Sequence, residues 1–350
     1  MAGGVLRRFV RRALRDRFSP SEIAAAVPWG RILRDGPAAR GLYDALLDDL
    51  LEGRATPGWT PSLAALHEQW RPRGVQVLPE HFYTTVFDPD RLPREVWDGR
   101  FEAGVAYDAE AQPALWRDAH HFADELAEFP DEADGSADDA ERFFWKNSEF
   151  SHQDAVLYYS LIRRLRPARI VEVGAGFSTL LASAAAAKNG STEIACVEPY
   201  PRPFLARGLP GVTLHASPVQ QAPPELFSTL SDGDVLFIDC SHVSKTGSDV
   251  NHLFLRIVPS LAPGVWVHVH DIFLPFEYPI DWPRQRLYFN EQYVLAALLA
   301  HSATLEVKIG NYFLIRVAGP ALREFSVPGR EVGLGGASFW IRTRERPKME

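Results

Sequence analysis

Short apolar runs alternate with longer helical periods from about residue 153 onward. The runs are rich in β-branched residues and are bounded by glycine, proline and polar residues, which is typical of buried parallel strands joined by helices. The pattern predicts strands at 169–174, 193–198, 212–215, 234–239, 265–270, 304–309 and 312–317. It predicts helices at 154–165, 178–188, 249–261 and 291–301. This succession indicates an α/β fold, a Rossmann-like doubly wound sheet of seven strands that ends in a hairpin.

The N-terminal part of the chain lacks this alternation. Its helical patterns are separated by proline-containing segments and lie at 21–26, 38–51, 62–70 and 114–127. Arginines interleaved with apolar residues near the start predict a basic amphipathic helix, docked on the protein rather than on a membrane. We therefore predict a mostly helical cap or dimerisation region over 1–145, a sheet domain over 146–320 and a C-terminal tail over 321–350.

The most specific motif is Glu172-Val-Gly-Ala-Gly176, between the first strand and its helix. Gly174 and Gly176 allow a tight turn and a close approach of the backbone to a ligand. Ser178 and Thr179 are candidates to cap the helix. A strand, a glycine-rich turn and a helix form the element that cradles nucleotides in doubly wound folds.

The amino-acid sequence of this turn indicates a ligand without phosphate. A dinucleotide fingerprint has a third glycine, but Thr179 stands there, and the carboxylate of Glu172 would repel a phosphate. The E-x-G-x-G form resembles motif I of the class I S-adenosylmethionine-dependent methyltransferases, whose cofactor carries a sulfonium and an ammonium group. The resemblance implies a seven-stranded sheet closed by a terminal hairpin. It also implies cofactor contacts from Glu172, Gly174, Gly176 and Ser178.

Four further residues are candidates for the same cofactor. Glu198 ends the second strand about 20 residues after the glycines, where a carboxylate grips a ribose diol. Tyr200 follows between two prolines and is a candidate to pack on the adenosine. Asn147 precedes the first strand and, with Asp154, is a candidate for the methionine end.

Polar side chains also follow the fourth and fifth strands. Asp239 ends the fourth strand, and His270 and Asp271 end the fifth. Because parallel strands place their carboxyl ends on one edge, we expect these side chains to converge. Two carboxylates and an imidazole suit a divalent cation; oxygen ligands favour Mg, Ca or Mn, and the imidazole leaves Zn, Fe or Ni open. Asp239 is expected to contact the cofactor as well, whereas His268 is expected to point to the opposite face from His270, into the core.

These strand ends resemble those of metal-dependent O-methyltransferases of the catechol and caffeoyl-coenzyme A type, and of macrolide-sugar O-methyltransferases. Asp239 and Asp271 match the first and last metal ligands of that family, whereas His270 stands where the family has a carboxylate. His242, three residues after Asp239, matches the position of the general base. The resemblance covers roughly residues 145–317. It implies methylation of a small-molecule hydroxyl with S-adenosylmethionine and a divalent cation such as Mg or Mn.

The same fold is compatible with different chemistry. Lys245, in the polar segment after His242, is predicted to assist catalysis by binding an anionic group of the substrate. A metal-independent N- or carboxyl-methyltransferase would instead use the acids for the cofactor or substrate. The fold would also suit a non-enzymatic S-adenosylmethionine-binding scaffold or an NAD-dependent oxidoreductase.

Composition and charge limit the classes of molecule that this protein is expected to bind. The net charge of −8 disfavours a general nucleic-acid partner. No apolar run approaches the ~20 residues of a membrane span. The two cysteines, Cys196 and Cys240, lie at predicted strands and are expected to be free thiols, which is typical of a reducing cytosol. We therefore expect a cytoplasmic enzyme that acts on a small-molecule acceptor and can form a homodimer.

Overall fold

The computed structural model describes residues 71–73, 83–100, 104–108, 111–322, 327–328 and 335–346. The chain divides into two compact units, Met1–Leu92 with Pro283–Tyr288, and Pro93–Trp282 with Phe289–Glu350. The helices predicted at 21–26, 38–51 and 62–70, and the basic N-terminal helix, lie outside the described residues. The predicted division at residues 145 and 320 stays a prediction.

The second unit contains all the described strands. These are β1 Arg169–Val173, β2 Glu193–Val197, β3 Val212–His215, β4 Val235–Ile238, β5 Trp266–Val269, β6 Leu305–Gly310 and β7 Phe339–Thr343. They form one sheet in the order β3-β2-β1-β4-β5-β7-β6. β1 to β5 run parallel, and β7 pairs antiparallel with both β5 and β6. This is the doubly wound sheet with an antiparallel end that the sequence predicts.

Helices connect and flank the strands. The described α-helices are α1 Arg94–Asp98, α2 Ala111–Ala119, α3 Ala123–Ala127, α4 His152–Leu165, α5 Phe177–Asn189, α6 Pro203–Ala206, α7 Glu225–Ser228, α8 Asp249–His252, α9 Asp281–Arg284, α10 Glu291–Ala300 and α11 Asn311–Leu322. A π turn at Leu253–Ile257 and a 3-10 turn at Val258–Ser260 continue α8. None of these helices is long and apolar enough to cross a lipid bilayer.

Both faces of the parallel part of the sheet are covered, and β4 illustrates this. Val235 and Phe237 pack into one apolar cluster, whereas Leu236 and Ile238 pack into another. Successive side chains of a strand point to opposite faces, so a strand covered on both sides is apolar throughout. The first six strands are found within one residue of their predicted ends. Coverage on both faces explains this for β4, whereas β3 and β6 are only partly buried.

The prediction of a seventh strand at 312–317 is wrong. Those residues lie in α11, and the seventh strand is β7. A short apolar run cannot be assigned to a buried strand or a helix by periodicity alone. As a helix, the run still buries Phe313 and Leu314. β7, from the segment 321–350, takes the place between β5 and β6.

The turn after β1 brings the ends of β1 and β4 into close approach. Gly174 has φ +81°, in the left-handed region that favours glycine. A Cβ at this position would lie 1.6 Å from the carbonyl oxygen of Asp239. The turn therefore requires glycine here for two reasons, its backbone conformation and the neighbouring chain.

A buried polar network supports the same turn. Glu172 is fully buried and accepts hydrogen bonds from the hydroxyls of Tyr158 (2.7 Å) and Thr179 (2.5 Å). The Thr179 hydroxyl in turn accepts from the backbone N–H of Gly176 (3.1 Å), so it caps α5 as predicted. Burial raises the pKa of Glu172 to about 7, although its hydrogen bonds oppose this. Glu172 therefore acts on the turn from inside the core.

Gly174→Ala should lower the free energy of unfolding by roughly 3 kcal/mol or more, because the new methyl group meets the Asp239 backbone. Gly190→Ala is the matched control: Gly190 has φ +86°, but a Cβ there meets nothing within 4 Å. This control should lower the free energy of unfolding by only about 1–2 kcal/mol, because alanine is disfavoured in left-handed backbone. Urea unfolding followed by tryptophan fluorescence measures both variants, and equal losses would contradict the steric argument.

Glu172→Gln should change how stability depends on pH. The folded-state pKa of about 7 exceeds the ordinary 4.5, so folding favours the protonated carboxyl. The stabilising contribution is complete below the unfolded pKa and is lost as pH rises through 7. Between pH 5 and pH 8 the variant should therefore gain roughly 2–3 kcal/mol in unfolding free energy relative to wild type.

Urea titrations at several pH values measure this difference. Glu193→Gln, which alters an exposed carboxylate at the start of β2, is the control and should follow the wild-type curve. If the difference in unfolding free energy between wild type and Glu172→Gln does not change with pH, ionisation of Glu172 has no role in stability.

Candidate active site

The carboxyl ends of β4 and β5 carry a cluster of polar side chains. Asp239 follows β4, and His270 and Asp271 follow β5. One ligand atom from each of the three lies within 4.8 Å of the other two. Nδ1 of His270 is 3.5 Å from Oδ1 of Asp239 and 3.6 Å from Oδ1 of Asp271. The fold therefore brings the three predicted metal ligands together.

The other ring nitrogen of His270 is held by a buried carboxylate. Nε2 lies 3.2 Å from Oδ2 of Asp154. Three further donors reach Asp154: Nδ2 of Asn311 at 2.7 Å and the backbone nitrogens of Ala337 and Ser338 at 2.8 Å each. Burial opposes ionisation, but His270 and these donors outweigh it and lower the pKa of Asp154 to about 2. His270 therefore presents Nδ1 to the cluster, as a histidine ligand does when its second nitrogen has a partner.

A second imidazole faces the same carboxylates. Nε2 of His242 is 3.3 Å from Oδ1 of Asp239 and 3.6 Å from Oδ2 of Asp271. Its Nδ1 is hydrogen-bonded to Glu291, which is buried in the first turn of α10. His242 is not among the three residues whose ligand atoms are mutually close. It stands beside that set, where a base rather than a ligand is expected.

Two of these residues sit on strained backbone. His242 and Asp271 each have φ +58°. Left-handed backbone is uncommon for residues other than glycine, costs on the order of 1–3 kcal/mol and is concentrated at functional sites. The carbonyl of His242 accepts hydrogen bonds from the backbone nitrogens of Asn290 (3.0 Å) and Glu291 (3.3 Å). The start of α10 thus holds the His242 backbone in this conformation.

Negative charge dominates the cluster. Four carboxylates surround its two imidazoles: Asp154, Asp239, Asp271 and Glu291. Burial opposes protonation of the imidazoles, but the carboxylates outweigh burial and raise the pKa of both well above the usual value. Burial also opposes ionisation of Asp239, yet the imidazoles lower its pKa, whereas burial raises the pKa of Asp271. A divalent cation fits this donor set, because carboxylate oxygens and an oriented imidazole are usual ligands and the surplus charge is negative.

Two cavities adjoin the cluster. The larger, of about 470 Å³, lies between the ends of β1, β2 and β4. The smaller, of about 130 Å³, lies at the start of α5. Both are lined by Gly174, Glu198 and Asp239. The two cavities therefore lie at the same edge of the sheet and share part of their walls.

Glu198 lines both cavities. Its carboxylate accepts hydrogen bonds from the backbone nitrogens of Ala175 (3.2 Å) and Tyr200 (2.8 Å), which fix its position beside the turn. Tyr200 is 88% exposed and lines the larger cavity, so its ring is available to a ligand. A Cβ at Gly176 would meet nothing within 4 Å. That glycine therefore leaves space on the ligand side instead of packing against protein.

The remaining predicted cofactor and substrate residues occupy different places. Ser178 lines the smaller cavity, and Lys245 lines the larger one. Glu172 lines neither, because it is buried beneath the turn. Its direct contact with a cofactor stays a prediction, and its observed contacts give it a supporting role.

Asn147 has a local role in the loop before α4. Its amide nitrogen donates to the carbonyls of Phe144 and Phe150 at 2.8 Å each, and its Oδ1 accepts from the Phe150 nitrogen at 2.7 Å. These bonds shape the loop that carries Phe150 to the smaller cavity. The predicted contact of Asn147 with the cofactor stays a prediction.

The expectation that His268 points away from His270 is wrong. Residues two apart along an extended chain share a face, and the two rings are 5.9 Å apart. His268 is nevertheless a core histidine: it is fully buried, and its Nε2 lies 2.7 Å from Oγ of Ser338. Burial lowers its pKa to about 3, so the ring is neutral.

Sequence reasoning misses the partners of the two imidazoles. It offers Asp154 only as a cofactor contact, and Glu291 not at all. The one signal for Glu291 is its place in the first turn of a helix, where acids are common for the helix dipole alone. Only the packing of α4 and α10 against the strand ends reveals what these carboxylates contact.

Two comparisons with known protein sequences find matches to parts of this chain. Residues 171–272 match a family model described as a methyltransferase domain. A stretch of 95 residues is 39% identical to an uncharacterized protein of Archaeoglobus fulgidus, covering 26% of this chain and 43% of that protein. The match thus spans less than half the length of this relative.

Solved structures show weaker likenesses. The methyltransferase PaMTH1 of Podospora anserina, with S-adenosylhomocysteine bound, is 16% identical with a TM-score of 0.36, covering 77% of this chain and 100% of that one. The O-methyltransferase TomG of Streptomyces achromogenes, in complex with S-adenosylmethionine, is 18% identical with a TM-score of 0.35, covering 69% and 92%. An O-methyltransferase of Bacillus cereus, with S-adenosylhomocysteine, is 11% identical with a TM-score of 0.33, covering 66% and 91%. Likenesses of this strength carry no argument about function.

The matched residues begin in β1 and end just after Asp271. They include the glycine turn, Glu198, both strand ends and His242. The sheet around them has the topology implied by motif I, with five parallel strands and an antiparallel end. This part of the chain therefore matches a methyltransferase domain.

Proposed function

We propose that this protein transfers a methyl group from S-adenosylmethionine to a hydroxyl oxygen of a small molecule, assisted by a divalent cation. The observation that carries the proposal is the position of Asp239. This residue lines both cavities and also belongs to the cluster with His270 and Asp271. A methyl donor in the cavities and an acceptor at the cluster would share this one boundary residue.

The two cavities suit the two halves of the cofactor. Glu198 and Tyr200 border the larger one and offer a carboxylate for the ribose hydroxyls and an aromatic face for the base. The carboxylates of the smaller one suit positive charge. S-adenosylmethionine, when bound, supplies a methyl group on a positively charged sulfur.

Asp239, His270 and Asp271 would hold the cation. The chemistry supplied by such a cation would be a lower pKa of an acceptor hydroxyl, and its charge would offset the carboxylates that otherwise keep His242 protonated. Asp154 keeps the His270 ring turned so that Nδ1 faces the two carboxylates.

His242 would take the proton of the acceptor. Its Nε2 faces the cluster, and Glu291 engages Nδ1 and so fixes the orientation of the ring. The proton of the acceptor hydroxyl would pass to Nε2, and the carboxylate of Glu291 would stabilise the imidazolium that forms.

Aromatic side chains stand next to His242 and favour an organic acceptor. The ring of Phe289 lies 4.6 Å from that of His242, and Trp282 packs on Phe289 at 5.3 Å. Phe273, two residues after Asp271, packs on Trp282 at 5.0 Å. These rings would form an apolar wall beside the reacting hydroxyl.

The proposed activity can be tested with methyl-labelled S-adenosylmethionine and a panel of phenols, catechols and glycosides. We expect label transfer to at least one acceptor, loss of transfer when divalent cations are removed, and recovery when Mn²⁺ is added. Undiminished transfer without cations would instead support a metal-independent methyltransferase. Cofactor binding without any transfer would support a non-enzymatic scaffold.

The cation site can be tested in the same preparation by titration calorimetry with Mn²⁺. Asp239→Asn should lower the affinity roughly 10-fold or more, because it removes one of two anionic ligands. Asp232→Asn, which alters an exposed carboxylate paired with Arg342, is the control and should bind like wild type. An Asp239 variant with unchanged affinity would exclude this cluster as the site.

Glu198→Gln should weaken binding of S-adenosylhomocysteine roughly 10-fold, because charged hydrogen bonds to the ribose are replaced by neutral ones. Glu193→Gln, at the other end of β2, should leave the affinity unchanged. Calorimetry measures both, and circular dichroism checks the fold. If the two variants bind equally well, Glu198 does not hold the ribose.

A further inference from the structure

The charges of the smaller cavity are unevenly distributed. Glu149, Glu198 and Asp239 place three carboxylates on its wall. Arg202 carries the one positive charge among the described residues that line it. Such a wall suits a ligand group that has two positive centres and one negative centre.

Several contacts fix the Arg202 side chain in this position. Its guanidinium lies over the ring of Phe177, 4.6 Å from the centroid. Phe177 is itself buried at the start of α5. Nη1 of Arg202 is 3.1 Å from Oδ1 of Asp138, and Nη2 is 3.0 Å from Oε1 of Glu149. The aromatic face limits the orientation of the guanidinium, and of its two paired carboxylates only Glu149 lines the cavity.

We propose that Arg202 binds the carboxylate of the cofactor's methionine moiety, and that Glu149 binds the adjacent ammonium. This inference rests on the proposed function. In the structure the two side chains pair with each other. The zwitterionic end of the cofactor would insert between them and replace one ion pair by two.

The physical chemistry favours this exchange. Arg202 and Glu149 are both partly exposed, with 34% and 50% of their side chains accessible. Ion pairs of this kind contribute little to stability, so opening one is easy. A guanidinium has five donors in a fork that matches a carboxylate, and the nearby N-terminus of the 13-residue helix α5 also favours an anion.

The remaining charges of the cavity fit the same orientation. Glu198 and Asp239 stand at the border with the larger cavity. A ligand with its adenosine in the larger cavity and its ribose at Glu198 would place its sulfonium near Asp239 and its amino-acid end towards Arg202. Every charged group of the cofactor then faces a side chain of opposite sign.

The test compares ligands that differ in the amino-acid end, using calorimetry on the full chain. S-adenosylmethionine carries both ammonium and carboxylate, and decarboxylated S-adenosylmethionine lacks only the carboxylate. 5′-Methylthioadenosine lacks both groups and also the positive charge on sulfur. Arg202→Ala should weaken S-adenosylmethionine roughly 10-fold or more and leave the other two unchanged. Glu149→Gln should weaken the two ligands that carry an ammonium and spare 5′-methylthioadenosine.

Arg207→Ala is the matched control. Arg207 pairs with Asp139 at 3.0 Å, beside the Arg202–Asp138 pair, but does not line the cavity. It should bind all three ligands like wild type, and thermal unfolding should show all variants folded. Arg202→Lys should lose part of the affinity for S-adenosylmethionine, because it keeps the charge without the fork.

Two outcomes would overturn the inference while the proposed function stands. Arg202→Ala could weaken all three ligands equally, which would mean a purely structural role, or it could weaken none. Failure of the wild-type chain to bind any of the three ligands would overturn the proposed function and this inference together.

Discussion

Asp154 is a fully buried carboxylate that accepts hydrogen bonds from three separate parts of the chain. Asn311 donates from α11, two backbone N–H groups donate from residues 337–338, and His270 approaches from the end of β5. A buried charge is unfavourable unless it is fully paired, so these elements are held to positions that satisfy it. The chain before β7 passes so close that a Cβ on Gly336 would lie 2.6 Å from Oδ1 of Asp154. The geometry of the cluster depends on this one carboxylate.

The same principle operates on both sides of the candidate site. Asp154 stands behind His270, and Glu291 stands behind His242, so each imidazole turns its free nitrogen towards Asp239. In the O-methyltransferases that the sequence resembles, a carboxylate occupies the position of His270. In this chain the corresponding negative charge lies on Asp154, which contacts the far side of the His270 ring. The departure from the family pattern therefore changes the donor atom more than the local charge.

Much of the sheet and of the cofactor side could be predicted because local signals determine them. A strand covered on both faces is mostly apolar along its length, and the left-handed backbone of the turn after β1 favours glycine at position 174. The last strand could not be predicted in this way, since the short apolar run at 312–317 suits either a helix or a strand. The structure places that run in α11, and the seventh strand is β7. The role of Glu291 could not be predicted for a related reason. An acid at the start of a helix usually interacts with the helix dipole alone, and the contact of Glu291 with His242 joins residues 49 positions apart.

The sequence by itself determined which residues begin and end the parallel strands, and hence that Asp239, His270 and Asp271 would share an edge with the glycine turn. Hydrophobic periodicity and the direction of parallel strands suffice for this, because both act over a few residues. Tertiary structure alone decided which way the imidazoles face, that Glu172 supports the turn from the core, and that β7 comes from the C-terminal segment. These outcomes depend on pairing buried charges and polar groups between distant elements, and such pairing has no local signature in the chain.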